Sequence, residues 1–150
     1  MVNLNVNQLV LQVIDLQGEE MEKRRILFEN HLDGTLPTIG GDSERLYRAF
    51  SNLVINSIQA MPNGGSLMIS SELDSVDSMI KITFRDTGIG MDKETSKNLF
   101  NPFFTTKDKG VGLGMALTHK IIEDHRGTIE VTSDKGIGTT FVLRLPVVKV

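Results

Sequence analysis

The run Ile80-Lys81-Ile82-Thr83-Phe84-Arg85-Asp86 reads as a strand that ends on a chemically awkward residue. Side chains alternate between the two faces of a strand, so Ile80, Ile82 and Phe84 share one face, and Lys81, Thr83 and Arg85 the other. By the same parity Asp86 belongs to the apolar row. A carboxylate there is costly unless hydrogen-bond donors meet it. The following Thr87-Gly88-Ile89-Gly90 lets the chain turn tightly and lets something come close to it. Near the C-terminus, Thr139 shares parity with Phe141, Leu143 and Leu145. A carboxylate and a hydroxyl at the ends of inward rows could recognise a polar edge of a buried ligand. Alternatively, Asp86 caps the helix that begins near Asp92 or satisfies loop amides, and Thr139 is a turn residue.

Two further groups suggest a charged ligand. Asn52 and Asn56 lie one helical turn apart within the otherwise apolar stretch Leu53, Val54, Ile55, Ile58. Asn is a mediocre helix-interior residue, so the pair is either a solvent-facing stripe or a stripe with a use. Amide oxygens are hard ligands, suited to Mg²⁺ alongside phosphate oxygens. Lys109-Gly110-Val111-Gly112-Leu113-Gly114-Met115 leads into a helix, and backbone N–H groups at such a glycine-rich N-terminus suit phosphates. The spacing is neither a Walker A pattern nor a dinucleotide fingerprint. Just upstream, Phe100-Asn101-Pro102-Phe103-Phe104-Thr105-Thr106-Lys107 combines aromatic anchors with a cation. That composition fits a lid whose Lys107 reaches a phosphate.

These residues need a scaffold, and the periodicity supplies one. Leu9, Val10, Val13, Ile14 and Leu16 give a helix from Val6 to about Arg25, and Ile26–Leu32 suits a strand. Asp42 is an N-cap for a helix running to Met61, stopped by Pro62-Asn63-Gly64-Gly65. Strands follow over Ser66–Leu73 and Met79–Asp86, with a short helix from Asp92 to Asn98. Residues 100–114 suit a mobile loop. A helix from Leu113 to about Asp124 stops at Gly127, and strands over Thr128–Ser133 and Thr139–Val147 close the chain. Helices and hairpins are segregated, so the expected class is α+β: a two-layer α/β sandwich with a mixed sheet of about five strands and about three main helices on one face. One domain is expected over 1–150.

Composition excludes several other classes. The chain of 150 residues has no cysteine, hence no disulfide framework and no Cys-ligated metal. A net charge of -3 without a basic cluster argues against a nucleic-acid surface. No apolar run is long enough to span a membrane, and the N-terminus lacks a signal-peptide plan. The expectation is a cytoplasmic domain without direct membrane contact.

Taken in order, these motifs resemble the boxes of the histidine kinase ATPase family. Asn52-Leu53-Val54-Ile55-Asn56-Ser57 resembles its N box (52–61), Asp86-Thr87-Gly88-Ile89-Gly90-Met91 its first glycine box (86–91), and Asn101-Pro102-Phe103-Phe104 its F box, within a lid over 100–109. Gly110-Val111-Gly112-Leu113-Gly114 is similar to the second glycine box (110–114), and Gly138-Thr139-Thr140-Phe141 to the closing strand motif. Gln59-Ala60-Met61 and Phe103-Phe104-Thr105-Thr106-Lys107 look closest to the branch of nitrogen-regulation sensor kinases.

The resemblance implies the Bergerat sandwich shared with DNA gyrase, Hsp90 and MutL, with ATP between the helices and the lid and Mg²⁺ as its companion. It implies that Asp86 accepts a hydrogen bond from the adenine amino group, supported by Thr139 through water, within the turn that Gly88 and Gly90 make. Asn56 would hold Mg²⁺, Asn52 would assist, and backbone amides of Gly110, Val111, Gly112, Leu113 and Gly114 would contact phosphates, with Lys107 in the lid. Gyrase and MutL carry a glutamate at the position of Asn52, where it activates water; Asn52 is a poor base, so hydrolysis by this chain is expected to be slow. His31, His119 and His125 do not lie in the family's acceptor pattern and read as structural or exposed. The phosphoacceptor then lies on a dimerisation/histidine phosphotransfer domain elsewhere, and a response regulator lies beyond it. The isolated domain is expected to be monomeric and its parent homodimeric, with or without a membrane anchor. Rival readings are an ATPase of the gyrase, MutL or chaperone class, an anti-sigma-factor serine kinase, and a nucleotide-dependent binding module without chemistry.

Overall fold

The computed structural model describes residues 2–101 and 109–148. The elements run β1 (Val2–Leu4), α1 (Val6–Lys23), β2 (Ile26–His31), β3 (Ile39–Gly41), α2 (Ser43–Gln59), β4 (Gly65–Asp74), β5 (Met79–Asp86), α3 (Lys93–Lys97), α4 (Lys109–Asp124), β6 (Thr128–Asp134) and β7 (Gly138–Pro146). Five strands form a mixed sheet in the order β2-β4-β5-β7-β6, with β2 parallel to β4 and the other pairs antiparallel. The expected α+β sandwich is the observed one. A two-stranded sheet of β1 and β3 lies beside it; three-residue strands are too short to carry a readable alternation.

The helices begin where capping chemistry starts them. Asn5 accepts from the Gln8 amide at 3.2 Å, and Asp42 from the amides of Glu44 and Arg45 at 3.1 and 3.2 Å. In α2 the buried residues are Leu46, Ala49, Phe50, Leu53, Val54, Ser57 and Ile58, a stripe at three- and four-residue intervals. That stripe packs on the inward row of the sheet: Leu67, Ile69, Ile80, Ile82, Phe84, Phe141, Leu143 and Leu145 are all buried. Phe50 of α2 meets Phe84 of β5 with ring centroids 6.1 Å apart. The outward residues Lys81, Thr83 and Arg85 are half-buried or exposed.

The helix after the lid begins at Lys109 rather than Leu113. Its three glycines argue against helix by propensity. Gly114 nevertheless sits against α2: the Asn52 side chain reaches its carbonyl at 3.4 Å and the Thr118 hydroxyl bonds it at 2.8 Å. Tertiary anchoring of this kind overrides a weak local preference.

His125 closes the far end of α4. It is buried, its Nδ1 lies 2.7 Å from the Ile121 carbonyl, and its Nε2 accepts from the Asp42 amide at 3.0 Å. The ring thereby ties the end of α4 to the N-cap of α2, with Nδ1 carrying the proton. A side chain on Gly41 would collide with it and with Leu46, which explains glycine there. His125→Leu is expected to lower stability by about 1–2 kcal/mol by stripping Asp42 N–H of its acceptor. Urea denaturation measures this, and an unchanged midpoint would remove the ring from the account.

Candidate functional site

The parity argument for Asp86 corresponds to the observed burial. Its side chain is only 3% exposed, at the end of the inward row of β5. One oxygen is satisfied: Oδ1 accepts from the Gly88 amide at 2.9 Å and the Thr139 amide at 3.2 Å. Oδ2 is buried with no partner. Asp86 does not cap α3, whose cap is Asp92, accepting from the Thr95 amide at 2.7 Å. The loop-amide alternative accounts for one oxygen and leaves the other unexplained.

Sheet register builds the rest of this wall. Asp86 pairs with Thr139, and Thr139 with Ser133, across three adjacent strands. Thr139 is buried, and its hydroxyl lies 2.7 Å from Ser133 Oγ. Ser133 Oγ also accepts from the Met91 amide at 2.8 Å and reaches the Gly138 carbonyl at 3.1 Å. The turn after Asp86 is thus pinned to the opposite hairpin. Its glycines are needed for close approach. A side chain on Gly88 would meet the Ala60 carbonyl, which accepts from Ile89 N–H at 2.8 Å. Gly90 has φ +69° and lies against the Asp134 carbonyl.

Asn52 and Asn56 are both half-buried on α2. The Asn52 amide nitrogen is committed to α4, through the Gly114 carbonyl and the Thr118 hydroxyl at 3.3 Å. Asn56 makes no side-chain hydrogen bond among the described residues. Gly110, Val111, Gly112 and Leu113 have helical backbone in the first turns of α4, where the leading N–H groups have no partner within the helix. The loop expected over these residues is corrected to a helix start, in which the amides of Leu113 and Gly114 bond carbonyls one turn earlier and only the leading ones have no partner inside the helix. Lys107, with Pro102-Phe103-Phe104-Thr105-Thr106, lies outside the described residues. Phe100, at the near end of that segment, stacks on His119 with centroids 5.1 Å apart. His31 is exposed at the end of β2.

The sequence reading missed two residues. Ser133 becomes visible only through strand register. Ser57 carried a signal, because it falls on the apolar stripe of α2 where every neighbour in the stripe is hydrophobic. It is fully buried and its Oγ has no hydrogen-bond partner.

A buried acceptor without a donor fits a ligand that brings an N–H, such as a base with an exocyclic amine. For a cation the donor set is spare. No three acidic, histidine or cysteine side chains cluster among the described residues. One amide oxygen with phosphates and water suits Mg²⁺, which keeps several waters and needs few protein ligands.

The family model of histidine kinase-, DNA gyrase B- and HSP90-like ATPases matches residues 41–149. Sporulation kinase E of Bacillus subtilis (strain 168) is 36% identical over 143 residues, 95% of this chain and 19% of that protein. The signal transduction histidine-protein kinase AtoS of Escherichia coli (strain K12) is 39% identical over 144 residues, 96% of this chain and 24% of that one. The nucleotide-free catalytic domain of histidine kinase ThkA superposes with a TM-score of 0.85 at 31% identity, covering 97% of this chain and 96% of that one. ThkA has also been solved in complex with the response regulator protein TrrA; that chain gives a TM-score of 0.81 at 28% identity, covering 98% of this chain and 42% of its own. The chain spans less than a third of the length of these two full-length kinases.

Burial raises the Asp86 carboxyl above its ordinary value of 3.8, against the lowering pull of the Gly88 amide, the Ser57 hydroxyl and the Thr139 amide. A folded-state pKa above the unfolded one means that the folded protein holds the proton more tightly. That contribution to stability is complete below about pH 3.8 and is lost as pH rises through the folded value. Asp86→Asn keeps an oxygen for both amides and removes the charge. Without ligand it is expected to be more stable than wild type at neutral pH by about 1 kcal/mol, or roughly 2–4 °C in Tm. The gap should close in acid. Melting curves from pH 3 to 8 test this, and equal stability at pH 7 would refute the strained carboxylate.

Proposed function

The chain belongs to the family of histidine kinase-, DNA gyrase B- and HSP90-like ATPases, in its histidine kinase branch, and on that premise we propose that it binds Mg-ATP and donates the γ-phosphate to a histidine on a separate dimerisation/phosphoacceptor domain. The observation that carries this reading is Asp86 Oδ2, a buried acceptor with no donor. The adenine amino group supplies that donor, with Thr139 supporting the contact through water. Residues 1–150 then form one catalytic domain.

Bound Mg²⁺ would neutralise phosphate charge. Asn56 would be its protein ligand, and Asn52 would assist from the adjacent turn. The backbone amides at the start of α4, within Gly110–Gly114, hold phosphate oxygens, and Lys107 adds a cation from the lid. Gly88 and Gly90 keep the turn after Asp86 in place. Asn52 cannot deprotonate water efficiently, so the domain presents ATP for transfer and hydrolyses it slowly. We further read Gln59-Ala60-Met61 and Phe103-Phe104-Thr105-Thr106-Lys107 as placing the parent near the nitrogen-regulation sensor kinases. The parent is a cytoplasmic or membrane-anchored homodimer that passes phosphate on to a response regulator, and the isolated domain is monomeric. Among the described residues no helix is long and apolar enough to cross a membrane.

Calorimetric titration with Mg-ATP is expected to give micromolar to low-millimolar binding that Asp86→Asn abolishes. Failure of the folded wild type to bind would bring the partner-binding reading forward. Supplied with a histidine-bearing helical domain, the chain should transfer phosphate to it in a linkage stable to base and labile to acid. Phosphate release by the chain alone should be slow; brisk release abolished by Asn56→Ala would instead mark a gyrase-like ATPase.

A further inference from the structure

Thr118, in the middle of α4, is fully buried, although valine would fill the same space with no polar atom to satisfy. Its hydroxyl donates to the Gly114 carbonyl one turn earlier, at 2.8 Å. That spends its only hydrogen, so toward any further group it can only accept. The further group is Asn52 of α2, whose Nδ2 lies 3.3 Å from the Thr118 hydroxyl and 3.4 Å from the Gly114 carbonyl. Two acceptors with no hydrogen to offer thus converge on one arm of the amide. That arm must be nitrogen, because a flipped amide would set oxygen against oxygen at both contacts. The other arm, Oδ1, bonds no described residue. The two helices run antiparallel, with Arg45 bonded to Asp124 and Asn52 to Gly114, so the start of α4 lies toward Asn56.

We propose that Thr118 is a positioning residue for the cation of this site: its hydroxyl holds the Asn52 amide with nitrogen toward α4 and oxygen toward Mg²⁺. The inference rests on the Mg-ATP reading above and extends it to a residue that touches neither cation nor nucleotide. A hydrated divalent cation calls for acceptors only. The metal takes oxygen lone pairs, and each of its waters turns its hydrogens outward. An amide oxygen in that position meets the demand, and an amide nitrogen opposes it. Without the Thr118 hydroxyl, the Gly114 carbonyl is the only described group left to tell nitrogen from oxygen on Asn52. The amide then divides its time between a useful orientation and a repelled one. The loss falls on the cation and leaves the rest of the nucleotide contacts in place.

NMR shift titration of the full chain with ATP, once with Mg²⁺ and once with EDTA, separates cation from nucleotide and reads binding into the millimolar range. Thr118→Val should weaken binding about three- to tenfold with Mg²⁺ but less than about twofold in EDTA, the equivalent of one lost hydrogen bond to the cation side. Thr118→Ser keeps the hydroxyl and should bring the Mg²⁺-dependent affinity back to within about twofold of wild type. In an Asn52→Ala background, Thr118→Val should alter the Mg²⁺ dependence no further, because it acts through that amide. Equal losses with and without Mg²⁺, a serine variant that behaves like valine, or a further loss beside Asn52→Ala would each overturn the role and leave Thr118 a packing residue. Should the valine variant not fold, the wild type decides the matter. With Mg-ADP bound, the Asn52 side-chain amide protons should show NOEs to the Thr118 methyl, and their absence would overturn the proposed orientation. Absence of ATP binding by the folded wild type would overturn the nucleotide reading, and this inference with it.

Discussion

A carboxylate held out of water with one oxygen satisfied and the other waiting is the constraint around which this molecule is arranged. Asp86 could sit there only because the surrounding elements supply what it needs without supplying all of it. Two backbone amides, from Gly88 and Thr139, converge on Oδ1. Oδ2 is left buried with no hydrogen-bond partner. The cost is met by the core behind it, where Phe50, Phe84 and Phe141 are fully buried. A buried acceptor left without a donor costs stability, which an apolar residue at this position would avoid.

The helix α2 carries polar residues on and beside its core face: Ser57 lies within the buried stripe, and Asn52 and Asn56 are half-buried at its border. Through its amide nitrogen Asn52 bonds the Gly114 carbonyl and the Thr118 hydroxyl, and so ties α2 to α4.

The similarity to the ThkA catalytic domain extends over almost the whole of both chains, whereas the full-length kinases continue far beyond the matched segment. The three histidines of the chain have separate surroundings. His125 is consumed in holding α4 to α2, His119 stacks against Phe100, and His31 stands exposed at a strand end.

Local chemistry written in the sequence determined much of this. Strand parity alone placed Asp86 and Thr139 in inward rows, capping chemistry placed the start of α2 at Asp42, and the order of the glycine and asparagine motifs identified the family. These features are local, so neighbouring residues suffice to specify them. The tertiary structure decided what depends on register and packing. Ser133 joined the site because β6 pairs with β7 so as to set it opposite Thr139. α4 starts at Lys109, four residues before the expected Leu113, and α2 is tied to it at Gly114, a contact across 62 positions of sequence that propensity cannot register. The short β1–β3 pairing and the tether at His125 arise in the same way, from contacts between residues far apart in the chain. Ser57 lies between the two cases: the sequence showed a polar residue on an apolar stripe, but only the packing of α2 revealed that it is fully buried with its hydroxyl unpartnered.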